Sequence, residues 1–313
     1  SNENVGIVDE KLFISTRAGK VKMTTKGYFA FIPNTLPPDL TWSPSLVGAL
    51  SDAENALGQL EGAFNSGNFF QYSSMPVLRQ EAVLSSKIEG TQANLIDVYS
   101  IELSQLPLFD TSDDVKEILN YEAALKYGLE TLISLPLSLR LIKEMHALLL
   151  TGTRGEYKTP GEFRVSQNWI GPVGSLLENA IYVPPPVNEM KRLLGQLESY
   201  IHARSNLPTL VKIGLIHYQF EAIHPFQDGN GRIGRLLVPI LLHQQGYQSA
   251  SYLNISRFFE SQRHAYYYKL LAVSQAGDWE GWLTFFLEGI KLQSEVSLDK
   301  NQQLQELFST YLN

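Results

Sequence analysis

The sequence predicts a mostly α-helical fold that carries one short β-hairpin. Apolar residues recur at three- and four-residue spacing through most of the chain after residue 44, and one segment alternates between polar and apolar residues. Of the 313 residues, 44% are hydrophobic and 18% are charged, so the chain can bury a sizeable core. At roughly 150 residues per domain, this length favours about two domains.

Composition excludes several classes of protein. The net charge is −7, from 25 Lys plus Arg against 32 Asp plus Glu, and this balance disfavours a general binder of polyanions. The absence of cysteine rules out disulfides, thiol catalysis and Cys-ligated zinc. The first residues contain no secretory signal, and the longest apolar runs are too short to span a bilayer. We therefore expect a cytoplasmic protein with no membrane segment.

The first 42 residues are expected to carry little regular structure. Residues 1–27 are polar and mixed, with a weak strand-like piece at Lys11–Thr16. The stretch Tyr28–Trp42 contains three prolines, which prevent a regular helix and favour an extended linker laid over a surface.

Helices are predicted along most of the remaining chain. The first begins near Ser45, and a second spans Met75–Gly90, with Pro76 suited to its first turn and Gly90 to the position after its last turn. The same periodicity predicts further helices at Asp113–Thr131, Ser138–Leu150, Val187–Ala203, Leu210–Ile223, after Arg232, and from Trp279 to Leu298 and beyond.

The segment Gly161–Pro186 interrupts the helices and predicts the β-hairpin. Residues alternate around Arg164–Ile170, a GPVG turn follows, and a second short run covers Ala180–Val183. Three prolines then end the segment, because proline cannot continue a strand ladder. On its own, the hairpin fits a cap over the helical core as well as a binding element.

Chemistry-bearing residues concentrate in the run IHPFQDGNGRIGRLL, residues 223–237. A long helix should end at His224, because Pro225 disfavours the α-helical conformation of the residue before it. The glycines of the following DGNG loop can adopt positive φ, and a new helix is expected near Arg232. Such a loop aims backbone N–H groups and the positive end of a helix into one space, which suits a phosphate group.

Side chains around this loop add three kinds of chemistry. Arg232 and Arg235 share one helix face, and two cations at a helix N-terminus indicate an anionic ligand. Asp228 offers a hard oxygen for Mg²⁺, and His224 is suited to accept a proton from an incoming hydroxyl. Each residue alone also fits an ordinary structural role, but their joint spacing favours a nucleotide site.

The run H-P-F-Q-D-G-N-G-R-I-G-R at 224–235 resembles, at every fixed position, the HPFx(D/E)GNGRxxR signature of the Fic proteins. The resemblance implies a Fic-type helical core with a short β-hairpin flap. It also implies transfer of AMP from ATP to a Ser, Thr or Tyr hydroxyl of a target protein, with release of pyrophosphate. It implies that His224 is the general base and that Asp228 is the Mg²⁺ ligand. It further implies that Gly229, Asn230 and Gly231 form the anion hole and that Arg232 and Arg235 bind the β- and γ-phosphates. Ile233 and Gly234 complete the implied nucleotide-binding segment.

A second resemblance concerns the helix that ends in SSKIEG. Ser85 and Glu89 are four residues apart, hence on one helix face, and Gly90 follows. On its own, Glu89 fits a solvated surface carboxylate, although a carboxylate in a last turn opposes the helix dipole. The spacing is similar to the (S/T)xxxE(G/N) inhibitory motif of Fic proteins, which implies that Glu89 pairs with Arg235, occupies the γ-phosphate space and inhibits the enzyme in cis. In some members the same glutamate supports removal of AMP.

The resemblance also implies two binding elements. Residues 161–186 resemble the flap that holds a target protein by strand addition. In the stretch Arg263–Ile290, Tyr267 is the first choice and Tyr266 the second for lining the adenosine pocket, although an aromatic cluster by itself is more often core. The implied small-molecule partners are ATP as substrate and Mg²⁺.

The resemblance divides the chain into three parts. We expect an N-terminal helical region at 1–110 with the inhibitory helix near 76–90, a Fic catalytic core at 138–290 and a C-terminal helix at 291–313. Larger relatives carry a winged-helix module beyond such a helix, so truncation there stays open, and DNA binding is expected only through that module. Self-modification and a homodimer also stay open.

Two alternatives to AMP transfer remain at this point. The first keeps the same fold and transfers another phosphate-containing group. The second is a regulatory or DNA-binding protein in which the nucleotide site only senses its ligand.

Overall fold

The fold is mostly helical, as the sequence predicts. The computed structural model describes residues 8–67, 74–92, 96–99 and 112–312, and the domain boundary expected near residue 110 lies outside them. Within these ranges no helix combines the length and apolarity that crossing a membrane requires. The helices are α1 (Pro44–Asn65), α2 (Ser74–Ile88), α3 (Asp113–Thr131), α4 (Leu139–Leu150), α5 (Val187–His202), α6 (Thr209–Ile223), α7 (Asn230–Gln244), α8 (Ile255–Ser261), α9 (Arg263–Ala276) and α10 (Trp279–Leu312), and residues 96–99 are also helical.

Serine side chains begin three of the helices. The hydroxyls of Ser43, Ser112 and Ser138 accept hydrogen bonds from backbone N–H groups in the first turns of α1, α3 and α4, at 3.2, 3.4 and 3.2 Å. Each bond satisfies an N–H group that the helix itself leaves free. Pro44 follows Ser43 in the first turn of α1, where its missing N–H costs no helical bond. These caps explain why the predicted and observed helices begin at nearly the same residues.

A two-stranded antiparallel sheet precedes the helices. β1 (Gly19–Met23) pairs with β2 (Phe29–Pro33). Most of β2 is buried, and Ala30, Phe31 and Ile32 contribute to the core.

Two expectations about the N-terminal residues are therefore wrong. Lys11–Thr16 forms no strand, and it overlaps the 3₁₀ turn Glu10–Leu12. The predicted linker Tyr28–Trp42 contains β2, because its prolines begin only where the apolar run FAFI has ended. The strand is buried on both faces and so lacks the alternation that would have indicated it.

The predicted hairpin of Gly161–Pro186, called here the flap segment, is reduced to one antiparallel bridge. The Ile170 N–H donates to the Tyr182 carbonyl at 2.9 Å, and the Ile181 N–H donates back to the Ile170 carbonyl at 2.8 Å. The residue after the bridge pairs elsewhere, since the Val183 carbonyl accepts the Phe31 N–H of β2 at 2.9 Å. Because β2 takes the Val183 carbonyl, the flap segment does not extend its single bridge into a longer ladder of strand pairs.

The core of the molecule surrounds α6 and α7. Most side chains of both helices are buried, so neither helix has a polar face of normal width. α10 contacts α6 through Trp282, whose indole N–H donates to the Gly214 carbonyl at 2.9 Å, and α1 packs along α10. α10 also runs without a break through residue 291, in agreement with the helix predicted from Trp279 to Leu298 and beyond. The packing of α7 against α6, which α10 supports in turn, therefore fixes the position of the start of α7.

We expect Leu57→Ala in α1 to lower the free energy of unfolding by about 2–5 kcal/mol, because Leu57 is fully buried and its loss leaves a cavity. Val47→Ala on the same helix is the matched control, since Val47 is 48% exposed. The control should change the stability by less than about 0.5 kcal/mol. Urea unfolding followed by circular dichroism measures both, and equal effects of the two substitutions would contradict the packing of α1.

Candidate active site

His224 ends α6 in a left-handed conformation. Its φ is 50° and its ψ is 62°, which is uncommon for a residue other than glycine and is held by surrounding bonds. The His224 carbonyl accepts hydrogen bonds from Arg164 Nε at 2.9 Å and from Asn168 Nδ2 at 3.1 Å. The Arg164 N–H also donates to the Pro225 carbonyl at 2.9 Å. Two buried side chains of the flap segment therefore fix the position of the histidine.

The ring of His224 is arranged to accept a proton. Its Nδ1 lies 3.2 Å from the Glu221 carbonyl. A carbonyl can only accept, so Nδ1 carries the hydrogen and Nε2 keeps its lone pair. Burial lowers the pKa of His224 to about 4. The side chain is therefore neutral at physiological pH and can serve as a base.

Asn230 closes the loop between His224 and α7. Its Oδ1 accepts the Phe226 N–H and its Nδ2 donates to the Phe226 carbonyl, both at 2.8 Å. Gly229 takes the predicted positive φ, at 83°, whereas Gly231 already belongs to α7, which begins two residues before Arg232. Because the Asn230 side chain is committed to the loop, an anion at this helix start would meet backbone N–H groups.

His146 of α4 supports the loop from outside. One ring nitrogen, Nε2, lies 2.8 Å from the Asp228 carbonyl, and the other, Nδ1, accepts the Gly161 N–H at 2.9 Å. The ring also stacks on Phe226, with 3.6 Å between ring centroids. Burial lowers the pKa of His146 to about 4, so the neutral ring donates from Nε2. His146 thus joins the loop to the start of the flap segment.

Both motif arginines are buried, and within the described part of the chain each has an N–H group with no hydrogen-bond partner. Arg232 lies 3.3 Å from Asp228 Oδ1 and 3.8 Å from Glu117 Oε2, but its Nε has no hydrogen-bond partner among the described residues. Nη1 of Arg235 likewise has no hydrogen-bond partner within the ranges that the structure describes. A buried N–H without an acceptor costs about 1–3 kcal/mol. Two such N–H groups at the start of one helix indicate a site for an anion rather than a purely structural role.

Glu89 supplies an anion to Arg235. Its Oε1 lies 2.6 Å from Arg235 Nη2, and the Arg235 side chain is fully buried while that of Glu89 is one-third exposed. Ser85 adds two contacts to the same guanidinium, from its hydroxyl at 2.9 Å and its carbonyl at 3.0 Å. Burial raises the pKa of Glu89, but Arg235 more than offsets this, so the pKa lies below its usual value. The pair is ionised at neutral pH.

The end of α2 is built to hold Glu89 in this place. Gly90 has a φ of 97°, and its N–H donates to the Lys87 carbonyl at 3.0 Å, while the Thr91 N–H donates to the Ser86 carbonyl at 3.2 Å. These two bonds form the glycine cap that the sequence predicts for this helix. Thr91 Oγ1 then donates to Glu117 Oε2 at 2.7 Å, which ties the end of α2 to α3.

The carboxylate of Glu89 lies directly against the first turn of α7. A Cβ placed on Gly231 would come within 2.2 Å of Glu89 Oε1, so only glycine allows this approach. A carboxylate at a helix N-terminus is stabilised by the same N–H groups and dipole that bind phosphate. Glu89 therefore occupies part of the space that suits a phosphate.

Asp228 is the residue of the site that suits Mg²⁺. Its side chain is 46% exposed, its Oδ1 accepts the Gly229 N–H at 2.6 Å, and its Oδ2 makes no hydrogen bond within the described ranges. Those ranges hold no cluster of three or more His, Asp or Glu residues that could cage a metal. Mg²⁺ commonly uses one or two carboxylates and completes its shell with phosphates and water. One available carboxylate beside a phosphate-sized anion site fits that mode.

The two tyrosines proposed for the adenosine pocket have different surroundings. Tyr266 is buried, and its hydroxyl lies 2.8 Å from Nε2 of His217, whose Nδ1 lies 2.8 Å from the Gly234 carbonyl. Tyr266 therefore belongs to the support of α7. Tyr267 is 43% exposed and stands beside Tyr266, with 5.2 Å between ring centroids, so it has the surface that a ligand could contact.

Sequence reasoning did not single out several residues of the site. Arg164, His146 and Glu117 each contact the loop or its arginines, but they come from other parts of the chain and no local pattern marks them. Glu221 was also missed, although it lies on the helix face that leads to His224. Its spacing three residues before His224 is the one signal that could have indicated it.

The fold and this site define a helical protein that holds an anion at a helix start beside a neutral histidine. The model of the Fic/DOC family matches residues 136–242, and that of the Fic/DOC family N-terminal region matches residues 47–130. Together the two matches span more than half of the chain. The chain belongs to the Fic/DOC family.

Curated relatives carry the name Protein adenylyltransferase Fic. The one from Aedes aegypti is 30% identical over 206 residues, which cover 64% of this chain and 38% of the relative. The one from Drosophila melanogaster is 27% identical over 267 residues, which cover 83% of this chain and 49% of the relative. The chain spans less than half the length of these relatives.

Solved structures share the fold. A Fic family protein from Desulfovibrio desulfuricans G20 matches with a TM-score of 0.71 and 21% identity, over 85% of this chain and 78% of that one. Fic-1 from C. elegans matches with a TM-score of 0.63 and 19% identity, over 84% and 75%. These likenesses confirm the predicted Fic-type helical fold.

We expect Asn230→Asp to lower the free energy of unfolding by about 1–3 kcal/mol, because a carboxylate cannot donate to the Phe226 carbonyl that it would face. Asn206→Asp is the control, since Asn206 is exposed in the loop before α6. Urea midpoints at neutral pH compare the two proteins. If both variants keep the stability of the parent, Asn230 does not hold the loop as described.

Proposed function

We propose that the protein transfers AMP from ATP to a Ser, Thr or Tyr hydroxyl of a target protein. The observation that carries this proposal is the pair of buried arginines with unpartnered N–H groups at the start of α7, next to a histidine whose Nε2 is free to accept a proton. The curated relatives named Protein adenylyltransferase Fic support the choice of AMP as the transferred group.

In the proposed step, the target hydroxyl oxygen attacks the α-phosphorus of ATP. Its proton passes to Nε2 of His224, and the bond from the α-phosphorus to the bridging oxygen of the β-phosphate breaks, so pyrophosphate leaves. Backbone N–H groups of residues 229–231 are placed to stabilise the charge on the α-phosphate. Arg232 and Arg235 are assigned to the β- and γ-phosphates, since each guanidinium group can bind two phosphate oxygens. Mg²⁺ on Asp228 supplies further positive charge when it is bound.

We also propose that Glu89 inhibits this reaction in cis. A γ-phosphate at Arg235 needs the guanidinium that Glu89 holds at 2.6 Å and the space that its carboxylate takes beside Gly231. ATP that enters while α2 keeps this position is held in an unproductive pose. In the same site, Glu89 is assigned a second role in removal of AMP, as a carboxylate close to the transferred group.

The flap segment is our proposed docking site for the target. Several of its apolar side chains are exposed and available for contact, namely Val165, Trp169, Val173, Leu176 and Ile181. Its inner side holds His224 through Arg164 and Asn168. A target strand paired to the flap segment would thus lie close to the base, and main-chain pairing would accept many sequences.

Glu89→Gly should raise AMP transfer by at least about tenfold, because it frees Arg235 for the γ-phosphate. The assay incubates the protein and a cell lysate with ATP labelled at the α-phosphate and measures protein-bound label. Glu89→Gln is the graded variant, since its amide keeps a contact to Arg235 without the charge, and it should fall between parent and Glu89→Gly.

Glu89→Gly/His224→Ala is the inactive control for that assay. Equal labelling by parent and Glu89→Gly would refute the inhibitory role of Glu89. Label that enters protein from the γ-phosphate and not from the α-phosphate would refute AMP transfer and favour transfer of phosphate on the same fold.

The pH dependence of Glu89→Gly should report the lowered pKa of His224. A base acts in its neutral form, so activity is lost as the pH falls through the pKa of about 4. The rate should therefore stay constant from about pH 7 down to about pH 5. Initial rates at saturating ATP measure this, and a loss of half the rate near pH 6.5, the ordinary pKa of histidine, would contradict the assignment.

A further inference from the structure

A half-buried glutamate that the proposed reaction does not use lies close enough to Arg235 to sense its charge. Glu221 is on α6, one turn before His224, and its Oε1 is buried without a hydrogen-bond partner among the described residues. A Cβ placed on Gly234 would come within 2.1 Å of that oxygen. The carboxyl group therefore lies against the α7 backbone, next to Arg235.

Two glutamates thus flank one arginine. Glu89 approaches the first turn of α7 at Gly231, and Glu221 approaches the same helix three residues later at Gly234. Nη2 of Arg235 is bound to Glu89, whereas its Nη1 has no hydrogen-bond partner in the described ranges. An unpartnered acceptor and an unpartnered donor in one buried region point to a group that can bond with both.

The charged and titratable groups around Glu221 lie on four helices or directly after them. They are Arg235 of α7, Glu89 directly after α2, Tyr266 and Tyr267 of α9, His217 of α6 and His224 directly after α6. Burial raises the pKa of Glu221 to about 7, with Arg235 lowering it and Glu89 raising it. Glu221 is therefore largely protonated below neutral pH, and a phosphate that replaces Glu89 would keep it so.

We propose that Glu221 is a nucleotide-binding residue that acts as a neutral carboxylic acid, donating its O–H to an oxygen of the phosphate held by Arg235. The inference rests on the proposed binding of ATP at Arg235. A protonated carboxyl offers one donor, which a phosphate oxygen can accept. An ionised carboxyl in the same place would repel the phosphate, and the buried surroundings would weaken that repulsion little.

This role makes ATP binding depend on one proton. Below about pH 7, Glu221 already carries the proton that binding requires. Above that pH the proton must be taken up, so the Kd for ATP should rise by about tenfold per pH unit. If Glu221 only filled space beside Gly234, its substitution would change the stability of the protein and leave the pH dependence of the Kd for ATP unchanged.

The test measures ATP binding by calorimetry between about pH 6 and pH 9 in the Glu89→Gly background. Removing Glu89 takes away one of the charges that raise the pKa of Glu221, so in that protein the rise of the Kd with pH should begin below pH 7. Binding at the alkaline end should take up a proton. Adding Glu221→Gln should abolish both effects and keep tight binding, because the amide donates a hydrogen bond at every pH. Adding Glu221→Ala should weaken binding at low pH by about tenfold, the effect of one lost charge-assisted bond.

Glu81→Gln in the same background is the matched control. Glu81 is a buried glutamate of α2 whose pKa burial also raises to about 7 and Arg235 also lowers. Unlike Glu221, its two carboxylate oxygens accept hydrogen bonds from Ser256 of α8 and from Tyr121 of α3. This variant should keep the pH dependence of its parent. Every variant meets the same ATP at each pH, so ionisation of the nucleotide cancels in the comparison.

Three outcomes would overturn the inference. They are an unchanged pH dependence in the Glu221→Gln protein, unchanged affinity in the Glu221→Ala protein, and no ATP binding by the Glu89→Gly parent. The first two outcomes overturn the inference alone, whereas the third overturns the proposed function as well. Failure of the proposed function alone looks different: ATP binds with the expected dependence on pH and Glu221, but no AMP reaches protein. Thermal unfolding of each variant separates loss of the site from loss of the fold.

Discussion

The buried charge of Arg235 governs this structure. A guanidinium with no exposed surface is costly unless an anion accompanies it, and removing one partner of such a pair leaves the other charge uncompensated. The chain supplies Glu89 and Ser85 from a helix about 150 residues earlier. The glycine cap of α2, the bond from Thr91 to Glu117 and the bare backbone of Gly231 all keep that carboxylate within reach. Under the proposed function, a phosphate of productively bound ATP replaces Glu89 as the anion that pairs with Arg235.

Much of the site could be predicted because its parts are close in the sequence. His224, Asp228, Arg232 and Arg235 are joined by a proline, a loop and one helix turn, so local rules place them together. The contact between Glu89 and Arg235 spans the molecule, and no periodicity predicts it. Only the resemblance of the SSKIEG run to a family motif placed these two residues together.

The residues that were missed have long-range roles. Arg164 uses its side chain to bind backbone carbonyls far along the chain, and a lone arginine in an alternating segment carries no sign of that role. β2 and the flap segment were misjudged for a related reason. Alternation and prolines indicate which residues can form strands, but the pairing of Phe31 with Val183 depends on how α6 and the N-terminal residues pack. Local patterns hold no information about such competition.

The Glu89 carboxylate is an anion tethered within the same chain as the site it fills. Under the proposed function, this tethered carboxylate competes at a fixed effective concentration, and ATP in solution must exceed it to bind Arg235 productively. The apparent affinity for productive ATP is the intrinsic affinity multiplied by the fraction of molecules in which Glu89 has left. Each 1.4 kcal/mol that holds α2 in place therefore raises the required ATP concentration by about tenfold. The few contacts at the end of α2 would thus set the nucleotide concentration at which the protein begins to act.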